Sequence, residues 1–209
     1  CRVELAVGLR ERDVRALVDL VVELRQADVV LGAERGSKCE DFAAGCADRI
    51  TLLFKDYRDL SGKFDKLVSI EMIEAVGAKY LDTYFAKCSS LLKPGGAMLL
   101  QAITLQDQFY RQALKSVDYI QRFVFPGSFI PSVTAIADSV TRVTDMKLFN
   151  LEDIGPHYAP TLKAWRERFF ANLDKVRALG YPDSFYRLWE FYLCYCEGGF
   201  AERQLGDVQ

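Results

Sequence analysis

The chain has 209 residues, 50% of them hydrophobic and 27% charged, with a net charge of −2. That composition suits one folded domain with a sizeable core and excludes a disordered segment. It also excludes a broad basic face for nucleic acid, and no apolar run reaches the ~18 residues of a membrane-crossing helix. The six cysteines (Cys1, Cys39, Cys46, Cys88, Cys194, Cys196) contain no CxxC pair, and the sole histidine, His157, is remote from most of them. They read as small, reduced or buried thiols, no metal is implied, and the expected compartment is reducing. No signal-peptide pattern is visible.

RVELAV at the start reads as a strand. RERDVRALVDLVVELRQADVVL places Val14, Leu17, Val18, Val21, Val22 and Leu24 near helical spacing and predicts a helix. GAERGSKCEDFAAGCA is polar and glycine-containing, with room for a short helix after Ser37. DRITLLFKDY and FDKLVSI are strand candidates, the second without polar alternation near its end, as in a parallel strand covered on both faces. Tyr80, Tyr84, Phe85, Cys88 and Leu91 recur on one face of a helix from about Gly77 to Leu92. KPGG stops that helix and turns the chain, and AMLLQAIT is the next buried strand. Strand, helix, turn and strand make a βαβ unit, which implies a parallel sheet with right-handed crossovers.

DQFYRQALKSVDYIQRFVF reads as a helix mixing aromatics and cations, FPGSFIPS as a loop, and SVTAIADSVT as a short helix with Ser132 at its N-cap. MKLFNLEDI reads as a strand. Two helices follow, TLKAWRERFFANLDKVRALG and SFYRLWEFYLCYCEGGFAER, separated by GYPD. No repeat, low-complexity segment or linker divides the chain, so residues 1–209 are taken as one domain.

In an open parallel sheet, ligands bind beyond the carboxyl ends of the strands. SIEMIEAVG puts Glu71 and Glu74 at such an end, and Gln101 to Thr104 close the next strand. Acids there serve as ligands or bases whose pKa burial can tune. Alternatively they open a helix, whose N-terminal dipole favours negative charge. Spacing leaves both readings open.

KDYRDL, FDKLVSIEMIEAVG, YFAKCSSLLKPGG, MLLQAIT, RFVFPG, LEDIGPHYAPTLKAWRERF and YLCYCEGGF occur in that order. Together they resemble the cyclopropane-fatty-acyl-phospholipid synthases and the related mycolic-acid cyclopropane synthases, from about Asp48 to Gln209, whereas residues 1–45 match poorly. The resemblance implies an α/β fold: a Rossmann-like methyltransferase sheet, mostly parallel, with helices on both faces. It implies a cytoplasmic, membrane-peripheral enzyme. Such an enzyme passes a methylene from S-adenosylmethionine to the cis double bond of an unsaturated phospholipid acyl chain, forming a cyclopropane fatty acid. Bicarbonate takes the released proton. By matching position, Glu74 holds bicarbonate, Ile103 contacts it through its backbone and Tyr158 hydrogen-bonds it. Gln101 stands where many members have histidine; its amide can bind an anion but cannot titrate near neutrality. Tyr57 and Arg58, with Asp56 beside them, match adenine-side contacts, and Ile70 matches a donor-contacting position. A homodimer stays open.

His157 reads as a loop hydrogen-bonder beside the site, and Trp165, Phe169 and Phe170 as core. DQFYRQALKSVDYIQRFVF is either an amphipathic packing helix or a lipid contact with Arg111, Lys115 and Arg122 at head groups. No GxGxxG-like stretch occurs, so the family's glycine-rich donor loop has no counterpart. The expectation is an N-terminally incomplete sheet, with Cys1–Val3 at the second strand and a central strand missing. Such a chain alone would bind S-adenosylmethionine weakly or not at all. Two rival functions stand beside cyclopropanation: a non-catalytic lipid- or partner-binding remnant, and a fatty-acid methyltransferase giving a methyl-branched product.

Overall fold

A computed structural model describes residues 55–209 and the strand segments 2–7, 28–32 and 50–53. Strands β1 (Arg2–Val7), β2 (Asp28–Gly32), β3 (Ile50–Leu53), β4 (Phe64–Ile70) and β5 (Leu92–Leu105) pair in parallel in the order β3-β2-β1-β4-β5. Their cores (VELAV, VVL, ITLL, FDKLVSI) are rich in β-branched and aliphatic residues, as strands covered on both faces require. The parallel sheet and its βαβ unit agree with the sequence.

Two expectations for the first half are corrected. The helix drawn to Leu31 overruns, because Asp28–Gly32 is a strand: Val29 sits opposite Val3 on one side and Ile50 on the other. A short run of valines and leucine cannot be told from helix by periodicity when its strand partners are far along the chain. The expected loss of a central strand is also overturned, since Arg2–Val7 itself lies between β2 and β4. The remainder of the predicted helix and the short helix after Ser37 lie outside the described residues.

The chain divides into two compact units, residues 1–102 with 134–149 and residues 103–133 with 150–209. In the first, helix α1 (Leu81–Leu91) buries Leu81, Tyr84, Phe85, Cys88 and Leu91, the helical stripe seen in the sequence. Tyr80 does not join it; it is exposed and ends a 3-10 turn, Ala78–Tyr80, that precedes the helix. KPGG is an excursion inside β5 rather than a gap between elements. Phe64 pairs with Leu92 and Lys66 with Ala97, so the single residue Asp65 on β4 faces four, Lys93 to Gly96, on β5. Gly95, at φ 74°, supplies the left-handed residue that the excursion needs. Helix α4 (Val133–Val143) begins directly after Ser132 and is tied to α1 through Asp82, which accepts from Ser139 at 2.7 Å and from Arg142 at 2.9 and 2.7 Å.

The second unit holds helices α2 (Asp107–Ala113), α3 (Tyr119–Phe123), α5 (Tyr158–Ala171), α6 (Leu173–Ala178) and α7 (Asp183–Ala201). It also holds strand β6 (Leu205–Val208), the neighbour of β5 where that strand runs into this unit. Its core is Leu162, Tyr192, Leu193 and Phe200, with Trp165 and Phe169 packed against it as expected, whereas Phe170, expected with them, is half-buried outside that cluster and meets Phe169 edge-on. The predicted single helix over DQFYRQALKSVDYIQRFVF is two. A capping box, Asp118 with Gln121, restarts the chain at Tyr119. The helix over TLKAWRERFFANLDKVRALG is also two, meeting at Asn172. MKLFNLEDI is not a strand: Leu148 and Phe149 are exposed, and only Asp153 forms a bridge, antiparallel to Val208. The apolar alternation there has no strand beside it until Glu152, so no ladder forms. Strand β6 was not foreseen, because LGDV is too short and polar to read as one.

Gly155 and Gly206 both pack closely against Asp153 at that bridge. Asp153 Oδ1 accepts from the N–H groups of Gly155 (2.9 Å) and Asp207 (3.1 Å). A Cβ at Gly155 would lie 2.8 Å from Asp153 Oδ1 and 2.9 Å from Asp207 N, both closer than real Cβ atoms come. Gly198 in α7 has open space around it. Gly155→Ala is expected to lower stability by about 1–3 kcal/mol through overpacking, and Gly198→Ala to raise it by up to about 1 kcal/mol through helix propensity. Urea unfolding of the two variants checks both signs.

Candidate active site

Because β3, β4 and β5 run parallel, the carboxyl ends of β3 and β4 point the same way, and β5 passes beside the end of β4 at Gln101. Asp56, Tyr57 and Arg58 follow β3, Ile70 ends β4, Glu74 follows it, and Gln101 lies on β5 in register with Ile70. Six of the residues singled out in the sequence thus lie after β3, at or after the end of β4, or on β5 beside that end; β4 and β5 are neighbours, and β2 and β1 separate β3 from them. Ile103 and Tyr158 belong to the second unit.

The stretch after β3 is a rigid knuckle. Asp56 caps the 3-10 turn Tyr57–Asp59 by accepting from Arg58 N at 2.9 Å, and it takes the Arg58 guanidinium on both oxygens, at 2.8 and 2.7 Å. The Arg58 side-chain and backbone hydrogen bonds hold the Asp56 carboxyl down at about 2, from 3.8. Tyr57 stands half-buried beside them, its ring 5.6 Å from Tyr84 in a T-shaped contact. Burial pushes the Tyr57 phenol upward, so it stays protonated at neutral pH.

Beneath the edge, Tyr84 donates to Ser69 Oγ at 2.6 Å, which satisfies a hydroxyl that is 1% exposed at the end of β4. Burial raises the Tyr84 phenol well above its usual range and pushes the Cys88 thiol to about 12. Both therefore keep their protons, and Cys88 is a packing residue, not a nucleophile. Tyr57, Ser69, Met72, Tyr84 and Lys87 line a small cleft.

Glu71 and Glu74 differ in placement. Glu71, directly after β4, has φ 47° and donates its N–H to Gln101 O at 2.9 Å, while Gln101 Nε2 donates to Glu71 Oε1 at 3.2 Å. Glu74 sits in the 3-10 turn Ile73–Ala75, with one carboxylate oxygen buried and close enough to Tyr84 to raise its phenol further. The sequence left open whether these acids open a helix. The turn that carries Glu74 is separate from α1, which begins at Leu81.

In the second unit, Ile103 packs against the core cluster, and Tyr158, the first residue of α5, stacks on Phe200 at 4.7 Å and 19°. Exposed His157 ends the 3-10 turn before it, and its carbonyl accepts from Thr161 Oγ1 at 2.8 Å. Cys194 is exposed and Cys196 half-buried. Among the described residues no cluster of His, Cys, Asp and Glu has the makings of a metal site. The pairing of Glu71 with Gln101 and of Tyr84 with Ser69 was not anticipated. Partners 30 and 15 residues apart leave no local signal.

The family model for mycolic acid cyclopropane synthetase matches residues 24–209. Tuberculostearic acid methyltransferase UfaA1 of Mycobacterium tuberculosis is 36% identical over 206 residues, covering 99% of this chain and 48% of that protein. Cyclopropane-fatty-acyl-phospholipid synthase of Escherichia coli K12 is 36% identical over 177 residues, covering 85% of this chain and 44% of that protein. The chain thus spans about half the length of the curated relatives it matches. Mycolic acid cyclopropane synthase CmaA1, solved with SAH and CTAB, has the same fold: TM-score 0.77 at 24% identity, over 99% of this chain and 75% of that one. With its family match running from the sheet to the last residue, this chain belongs to the mycolic acid cyclopropane synthetase family.

Proposed function

We propose that this chain transfers a methylene from S-adenosylmethionine to the cis double bond of an unsaturated phospholipid acyl chain, forming a cyclopropane fatty acid. The observation that carries this reading is that Asp56, Tyr57 and Arg58 follow β3, Ile70 and Glu74 end and follow β4, and Gln101 stands in register with Ile70, all in one parallel sheet of a chain of this family.

The residues suit the groups that the reaction needs. S-adenosylmethionine supplies an electrophilic sulfonium methyl when bound. Tyr57 offers a ring braced edge-on by Tyr84, which favours stacking on a flat base, and the Asp56–Arg58 pair fixes its neighbours. Ile70 gives the donor an apolar contact at the end of β4. Bicarbonate supplies a base, and it both donates and accepts hydrogen bonds. A Glu74 carboxylate that only accepts and a Gln101 amide that can donate complement it. Ile103 and Tyr158 keep the roles that the family implies, a backbone contact and a hydroxyl contact. Apolar surroundings for the alkene exclude the water that would trap a cationic carbon.

Lipid is met, in this reading, through the second unit. Tyr119 touches Phe123, Phe191 and Tyr195, the last three of which are exposed, and Arg122 lies over the Phe123 ring. Aromatics beside a cation suit a membrane interface. Among the described residues no helix is long and apolar enough to cross a membrane. A second reading, a methyl-branched product, is favoured by the similarity to a protein named as a methyltransferase.

Incubation with unsaturated phospholipid and methyl-labelled donor is expected to give labelled lipid with one added CH₂ and upfield ring protons. A methylene-branched product has the same mass but shows olefinic =CH₂ protons in place of ring protons; its saturated form, two hydrogens heavier, would require an added hydride donor. No label from a folded chain would favour the non-catalytic remnant. Glu74→Gln is expected to lower turnover by about 100-fold without a matching loss of stability; an unchanged rate removes Glu74 from the mechanism. Tyr57→Ala is expected to weaken donor binding by up to about tenfold in calorimetry. The Asp56 carboxyl should titrate near 2 by NMR and return toward 3.8 in Arg58→Ala. Because its folded pKa is lowered, the stability that it contributes is present above 3.8 and lost as pH falls toward 2.

A further inference from the structure

We propose that Glu71 is a positioning residue that clamps Gln101 by main chain and side chain and so fixes which end of the Gln101 amide faces the reaction centre; the inference rests on the methyl-transfer reading above.

The first observation is backbone conformation. Among the described residues, Glu71 and Arg203 are the non-glycine residues with positive φ, at 47° and 56°. Glutamate has no special tolerance for the left-handed region, unlike Gly, Asn or Asp. Such strain persists where the surroundings over-determine it, and it collects at functional sites.

The second observation is what over-determines it. Glu71 N–H donates to Gln101 O at 2.9 Å, one step beyond the Ile70–Gln101 register that ends the β4–β5 ladder. Gln101 Nε2 donates to Glu71 Oε1 at 3.2 Å. One residue therefore grips the other twice across the strand ends. Its left-handed φ also turns the chain off the sheet, toward Met72 and the 3-10 turn that carries Glu74.

The third consideration is chemical. The two ends of a glutamine amide differ, one donating and one accepting, and the terminal torsion is broad and roughly two-fold. A carboxylate only accepts. It holds the nitrogen end and repels the carbonyl end, so the amide cannot flip. The remaining N–H keeps a fixed direction, and an anion needs that donor where a flipped amide would present an oxygen. A glutamate that merely finished the strand would contribute to stability but would not decide the orientation of Gln101.

The test uses the full chain and two readouts. In ¹⁵N NMR, the Gln101 side-chain NH₂ pair, assigned by its disappearance in Gln101→Ala, is expected to be widely split. The splitting should collapse toward free-amide values in Glu71→Ala and in Glu71→Asn, which tolerates the backbone but is shorter and uncharged. In the transfer assay, both variants are expected to lose about ten- to hundredfold in kcat with KM little changed, as misorientation predicts. The exchanged pair, Glu71→Gln with Gln101→Glu, keeps a cross-strand hydrogen bond and wild-type melting but presents a carboxylate in place of the donor, so turnover should be lost. A Gln101 amide unmoved by Glu71→Ala, or wild-type turnover in the exchanged pair, overturns the proposal. If the wild-type chain transfers no methyl at all, the methyl-transfer reading fails while the amide resonance still decides the clamp.

Discussion

The parallel pairing of β4 with β5 is the constraint on which the rest depends. A parallel pair needs a crossover, and α1 supplies it, buried along a single stripe from Leu81 to Leu91. The same geometry points the carboxyl ends of β1 to β5 one way, so residues widely spaced in sequence, such as Glu71 and Gln101, become neighbours without any long loop to carry them. The register Ile70–Gln101 then puts the last residue of β4 opposite a polar residue of β5. A slip of one residue would turn Gln101 to the other face of the sheet.

An edge rich in acids is held by giving each carboxylate its own local answer. Asp56 is met by the fork of Arg58, two residues away, and stays ionised far below neutrality. That pair is largely exposed, so its worth is shape more than stability. Glu71 takes the Gln101 amide. Glu74 is turned inward on a short turn beside Tyr84, whose phenol is protonated because it is fully buried. The edge thus combines the charged Asp56–Arg58 pair with buried phenol and thiol groups that do not ionise.

The second unit follows a different rule. Its core is aromatic, and Tyr158 owes its orientation to stacking on Phe200 rather than to a hydrogen-bond network alone. Arg166 and Glu197, at 2.9 Å, tie α5 to α7 over that core. The loop before Tyr158 is set by backbone proximity: glycine at 155 and 206 lets Asp153 accept from two main-chain N–H groups. A side chain at Gly155 would hold these segments apart and shift the start of α5.

What the sequence determined by itself was the parallel βαβ unit, the buried stripe of α1, the family, and the presence of Asp56, Ile70, Glu74 and Gln101 at strand ends. These are local in origin, because period, turn residues and ordered segments are read along the chain. Tertiary structure decided the rest. Asp28–Gly32 is a strand because β1 and β3 flank it, MKLFNLEDI is not one because nothing pairs with most of it, and LGDV becomes one beside β5. The left-handed turn at Glu71 and its grip on Gln101 also waited for the sheet. A hydrogen bond between residues 30 apart exists only once two strands lie side by side, and no spacing along one chain encodes that meeting.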